Sequence, residues 1–174
     1  MIRHSLAPAF GLAGFLALSA CIVPVPIVVP GSSRGPSAPA SYVTAPAGQA
    51  GDVLRLINAE RENQGLHPLS WSDRLAASAA DHAAWIASSG TFSHTGEGGS
   101  SARDRMAARD YWGCDYAENI SRGQPDAQAV VRGWMLSPGH RANNLRRSSY
   151  EAGAAMVRGS RGPVWVINFG APCG

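Results

Sequence analysis

A break in composition near residue 50 constrains this chain more than any other feature. Residues 22–50 are rich in Pro, Ala, Ser, Gly and Val, with Arg34 their only charge, and show neither a helical nor a strand period. Such a segment buries too little apolar surface to offset the entropy lost on folding. Packing is therefore confined to the C-terminal stretch of about 124 residues, a single-domain length that can enclose a core. The expected organisation is a leader at 1–20, a linker at 21–50 and one folded domain at 51–174.

The leader has a secretory layout. Arg3 supplies a short positive region, Leu6 to Leu18 is uncharged and mostly apolar, and small residues Ser19 and Ala20 precede Cys21. The apolar run is too short for a comfortable transmembrane helix. Leu18-Ser19-Ala20-Cys21 resembles the lipobox of bacterial lipoproteins, in which the cysteine is lipidated and becomes the first mature residue. The expectation is an extracytoplasmic protein anchored to a membrane of the cell envelope through Cys21; the alternative is ordinary cleavage beside a chance cysteine, and secretion. An extended polyproline linker would let the domain stand off by at most on the order of 80 Å.

The chain has three cysteines. If Cys21 takes a lipid, Cys114 and Cys173 remain as a pair in an oxidising compartment. A bridge would close a loop of about 60 residues, worth about 4 kcal/mol in the chain-entropy model; the alternative is two buried thiols. The net charge is +3, and every basic side chain except histidine is arginine. Arginine pairs bidentately with carboxylates and phosphates, so anionic partners are conceivable, but a solvated face explains the charge better. No zinc-finger spacing, P-loop, dinucleotide fingerprint or basic repeat occurs, which argues against nucleic acid.

Inside the domain, Asp52 is placed to cap a helix whose apolar side is Val53, Leu54, Leu56 and Ile57, ending at Gly65 before Pro68. Ser72 opens a second helix, with Leu75, Ala79, His82 and Ile86 at helical spacing and Gly90 as its stop. Its many alanines predict close packing. Glu97 to Ser101 reads as a loop, Ser101 as the cap of a short helix to Arg109, and Asp126 to Met135 as a fourth helix after Pro125. A short strand is expected at Glu118–Arg122. A hairpin joins Ala152–Val157 to Val164–Phe169. Trp165, Ile167 and Phe169 point one way and Val164 and Val166 the other, so both sheet faces are covered. The fold class is α+β, a three-layer α–β–α sandwich around a small, largely antiparallel central sheet.

Three segments join polar functional groups to turns: Phe92-Ser93-His94-Thr95, Ala117-Glu118-Asn119-Ile120 and Trp134 to Asn143. In this order, with Ile57-Asn58 and Arg61, His67 to Trp71, His82, and Val166-Ile167-Asn168-Phe169-Gly170, they resemble the bacterial branch of the CAP superfamily, the cysteine-rich secretory and pathogenesis-related proteins. The resemblance spans about residues 53–170. It implies an α–β–α sandwich with a cleft lined by a His/Glu/Glu/His tetrad. His94 matches the first histidine, Glu118 the first glutamate and His140 the second histidine. Two positions depart: the glycine before the glutamate is Ala117, and the second glutamate falls on Ser137.

Two imidazoles and a carboxylate suit zinc with an open coordination site, His94 and His140 being its ligands; no residue pattern demands a cofactor. Without metal, Glu118 could orient a histidine as a general base. A Ser137–His140–Glu118 triad can be written, although turn formation explains Ser137 better. The same groups also suit a hydrogen-bonded cluster that locks loops and shapes a binding cleft. His82 reads as a core histidine, His67 as exposed, and Trp71, Trp134 and Trp165 as core. The resemblance implies small hydrophobic ligands in some members and peptides or surface polymers in others; for an envelope-tethered domain a lipid, peptide or cell-wall ligand is expected, and the protein is expected to be a monomer. Three functions stay open: a ligand-binding module, a metal-assisted hydrolase, or a surface protein that adheres to another protein.

Overall fold

A computed structural model describes residues 46–173. The leader, Cys21 and the linker as far as residue 45 lie outside the described residues. Among the described residues, the order is α1 (Gln49–Asn63), β1 (Ser70–Trp71), α2 (Asp73–Ser89), α3 (Ala102–Ala107), β2 (Gly113–Arg122), α4 (Ala127–Leu136), α5 (Pro138–Asn144), β3 (Glu151–Gly159) and β4 (Gly162–Pro172).

The strands form one sheet in the order β1-β3-β4-β2. β3 and β2 each pair antiparallel with β4, and the two-residue β1 pairs parallel with β3. Alternation along β4 sorts its side chains as expected. Trp165, Ile167 and Phe169 join Val53, Leu54, Ile57, Val130, Val131 and Trp134 in the α1/α4 core. Val164 and Val166 join Ala79, Ala83 and Ile86 of α2 on the other face. Two covered faces make three layers, and each fully buried Leu, Ile, Val or Phe contributes about 1.5–3 kcal/mol.

α2 makes the closest layer contact. The Ser72 hydroxyl accepts from Leu75 N, and Gly90 closes the helix in the left-handed region at φ 75°. A Cβ on Gly153 of β3 would lie 2.1 Å from Ala76 N, so only glycine lets the helix lie this near the sheet. That is the packing its alanines predict.

Several boundaries differ from expectation. α1 starts at Gln49, where Gly48 turns the chain with φ 102°, so Asp52 sits in the first turn, paired with Arg55, and is not the cap. α1 also stops at Asn63, two residues before Gly65. α3 ends at Ala107 after a Ser101–Asp104 capping box. The strands are longer than their apolar runs because pairing continues through polar and glycine positions; β2 begins at Gly113, and the hairpin turn shrinks to Ser160-Arg161. β1 and α5 had no periodic signal. Cys114 and Cys173 form a disulfide that fastens the start of β2 to the chain just past β4.

The sheet's open edge at β2 is covered. Trp134 Nε1 donates to Ile120 O at 3.3 Å and Asn143 Nδ2 to Glu118 O at 3.2 Å, satisfying two edge carbonyls from α4 and α5. This places α5, with His140, alongside the strand that carries Glu118.

Candidate functional site

Glu118 stands at the centre of the polar cluster. On β2 it shares a face with Tyr116 and Ile120, which pack against Leu75 and the α2 core, so its side chain enters the α2/α3 layer. Only 3% of that side chain is exposed. Oε1 accepts from His94 Nδ1 at 2.8 Å, and Oε2 accepts from Arg105 of α3 at 2.7 Å. Burial pushes the carboxyl pKa up, but the His94 hydrogen bond and the Arg105 charge outweigh it and hold Glu118 below the usual carboxylate range. The group is ionised at neutral pH.

His94 follows α2 in the loop from Gly90, with 58% of its side chain exposed. An ionised carboxylate only accepts, so Nδ1 carries the proton and Nε2 is the ring nitrogen left for an incoming group. His82 lies beneath, buried on α2. Its Nε2 donates to Ser93 O at 2.9 Å and sits 4.0 Å from Glu118 Oε1. Its Nδ1 is buried without a hydrogen-bond partner. His82 is therefore a core histidine with one unsatisfied atom, next to the site. Burial holds its pKa low, with Arg105 and His94 adding to that against Glu118.

His140 lies half-buried in α5, its ring 6.5 Å from that of Trp134. Burial and the nearby His94 lower its pKa. Its carbonyl accepts from Asn119 Nδ2 at 3.0 Å; no hydrogen bond joins its ring to His94 or Glu118. Asn119 also bonds Asn144 at 2.9 Å and accepts from Asn143 at 2.8 Å, so three asparagines tie β2 to α5. Ser137 is the hinge residue between α4 and α5; its side chain caps neither helix and bonds neither His140 nor Glu118. Ala117, at the position where the resemblance leads one to expect glycine, packs against the α1/α4 core.

His67 is half-buried, not exposed: its ring stacks on Tyr150 at 4.3 Å and reaches Arg147 O. Trp71, Trp134 and Trp165 are core residues. The residue that sequence reasoning missed is Arg105. The available signal was the Ser101-x-x-Asp104 capping box, which fixes the register of α3 and hence the direction of the next residue.

The donor set does not fit a resident zinc ion. Among the described residues, no group of three or more His, Cys, Asp or Glu side chains is arranged to hold a metal. Both oxygens of Glu118 are engaged, one by a guanidinium. A cation there would face Arg105 at close range.

The comparisons give this architecture its family. The CAP description, "Cysteine-rich secretory protein family", matches residues 54–169, and the chain belongs to that family. It is 34% identical over 120 residues to the uncharacterized protein YkwD of Bacillus subtilis, across 67% of this chain and 45% of that protein. Its fold is similar to an extracellular protein containing an SCP domain from Bacillus anthracis, with a TM-score of 0.66 and 26% identity over 71% of this chain and 40% of that one. An outer surface protein of Borrelia burgdorferi shares the fold at a TM-score of 0.65 and 21% identity, over 70% of this chain and 90% of that one. The chain spans less than half the length of the two Bacillus proteins.

Proposed function

We propose that this CAP domain is displayed outside the cytoplasm and works as a binding module, reading a polar envelope ligand, peptide or glycan, at the His94–Glu118–His140 face. One observation carries the reading. His94 is an exposed imidazole whose inner nitrogen is locked to a buried, charge-paired carboxylate, which fixes the ring and turns Nε2 outward as a recognition group. Hydrolysis is less well supported, because no nucleophile is bonded to either histidine and Glu118 is spent on two partners. The test is a titration of the protein with muropeptides, and separately with short-chain phospholipid, followed through the ring resonances of His94 and His140. Saturable shifts with muropeptide support the reading; an unresponsive His94 overturns it.

A second reading rests on a different place. Leu56, Ala59, Val131, Met135 and Leu136 line an apolar groove of about 480 Å³ between α1 and α4, and Leu136 is 86% exposed. An acyl chain suits such a groove. Lipid recovered from an envelope extract by the native chain and lost in Leu136→Glu would favour it.

Export and anchoring belong to the same proposal. The leader, the lipobox-like Leu18–Cys21 and the Cys114–Cys173 bridge agree with an oxidising, extracytoplasmic setting, and the Bacillus anthracis neighbour is described as extracellular. Among the described residues no helix is long and apolar enough to cross a membrane; the proposed anchor is a lipid on Cys21, at the lipobox-like segment. Labelled palmitate should enter the native protein; a Cys21→Ala protein that still fractionates with membranes would sink the anchor.

A further inference from the structure

We infer that Arg105 is the resident cation of this cleft. It neutralises the buried Glu118 carboxylate in place of any metal ion, and Arg105 positions His94 through Glu118. The inference does not depend on which ligand the cleft takes.

Three observations carry it. First, the guanidinium is part of the framework: Arg105 is 10% exposed, its NH2 group donates to Glu118 Oε2 at 2.7 Å and its NH1 group to Ser100 O at 2.8 Å. Second, the segment Gly96–Ser100 is shaped around it. Gly96 N donates to Ser100 O at 2.8 Å, closing a small ring of backbone whose carbonyl then faces the guanidinium. A Cβ on Gly96 would lie 2.9 Å from Arg105 NH1, 2.8 Å from Ser100 Oγ and 3.2 Å from His82 Nδ1. Glycine at this position clears the space that Arg105 and His82 occupy, which gives a physical role to a loop that reads in the sequence as mere connection. Third, Glu118 has no oxygen to spare, since His94 holds the other one.

The chemistry follows from those contacts. A buried carboxylate requires a positive partner or a proton. Here a guanidinium supplies the positive charge permanently, without regard to pH or metal supply. Like charge then excludes a divalent ion from the space beside Oε2. The bond from Glu118 to His94 Nδ1 is preserved, so the imidazole keeps its orientation with no metal bound.

The experiment uses the intact chain and zinc alone as the probe. Binding is followed by calorimetry and by the ring resonances of His94 and His140. The native protein should show no saturable, His94-dependent binding up to about 1 mM zinc, whereas Arg105→Gln, which frees Oε2 and leaves Glu118 uncompensated, should gain affinity by about tenfold or more. Arg105→Lys restores the charge and should behave as native. Gly96→Val, which pushes on Arg105 from the loop, should move toward the Arg105→Gln result. Zinc that binds the native protein and shifts His94 would overturn the inference. So would a folded Arg105→Gln protein that gains nothing. If Arg105→Gln does not fold, Gly96→Val and the native titration decide the matter by the same criteria.

Discussion

Two buried charges lie on opposite sides of the sheet, and their partners differ in kind. Arg61 of α1 is fully buried and donates only to backbone: to His67 O at 3.0 Å, Asn144 O at 2.9 Å, Arg146 O at 2.9 Å and Ser149 O at 3.4 Å. Glu118 accepts from two side chains, one of them, His94, largely in solvent. A charge that ends on carbonyls fixes the path of the chain and passes nothing on. A charge that ends on a half-exposed imidazole communicates with whatever touches that ring. The first arrangement is a staple that gathers α1, α5 and the 145–149 segment. The second is the candidate site.

That contrast can be broken most directly at Arg61. Arg61→Met keeps the volume but strands four backbone carbonyls, two buried and two part-buried, and it should cost about 4 kcal/mol in urea denaturation. A loss near zero would mean that the carbonyls find water and that the staple is dispensable. Glu118→Gln should cost less, about 1–3 kcal/mol, because the amide still accepts from Arg105 while that guanidinium loses its counter-charge. A loss as large as that of Arg61→Met would erase the distinction between the two clusters.

Acid should separate them further. His82 and His140 have pKa values held below the ordinary 6.5 of histidine by burial. The unfolded chain takes up their protons before the folded chain does. Their stabilisation is therefore complete above about pH 6.5 and is lost as pH falls below it toward the folded values. Glu118 adds a second loss below its ordinary 4.5, since its folded pKa is depressed. Arg61, pushed down by burial to about 10, stays charged throughout this window. Thermal midpoints measured from pH 7.5 to 4 should fall in two stages. His82→Gln should flatten the first stage, whereas the deficit of Arg61→Met should stay constant with pH. A deficit that changes with pH would show that the Arg61 cluster is coupled to the site.

The contrast also explains what was legible in the sequence. The layers were readable because β4 alternates Trp165, Ile167 and Phe169 against Val164 and Val166, and because α2 carries Leu75, Ala79 and Ile86 at helical spacing. His94, Glu118 and His140 were singled out because each sits in a motif that resembles the family's; the structure pairs the first two, and the ring of the third bonds neither. Arg105 was not read, since the Ser101–Asp104 capping box fixes the register of α3 but does not separate a buried ion pair from a solvated side chain. The polar half of β2, from Gly113 to Ala117, was missed for a related reason: pairing with Phe169–Pro172 of β4, not hydrophobicity, makes it a strand. α5 was hidden because Ser-Pro-Gly reads as a turn, while Pro138 in fact starts a helix at its first position.

The smallest expected effect on stability is also the most informative about the site. His94 is exposed, so His94→Ala removes a hydrogen bond that solvent largely screens and should change stability by no more than about 0.5–1 kcal/mol. Glu118 would keep Arg105 as its partner, and the fold should keep its β2–α5 ties through Asn119, Asn143 and Asn144. If the His94 ring is the recognition group, the same substitution should abolish muropeptide-induced shifts while the thermal midpoint barely moves. His94→Gln tests orientation separately, because its amide can still donate to Glu118 and present an acceptor outward; partial binding there, with none in His94→Ala, would assign the function to the outward atom. A His94→Ala protein that is strongly destabilised would instead place His94 with Arg61 among the staples, and the distinction between the two sides of the sheet would fall.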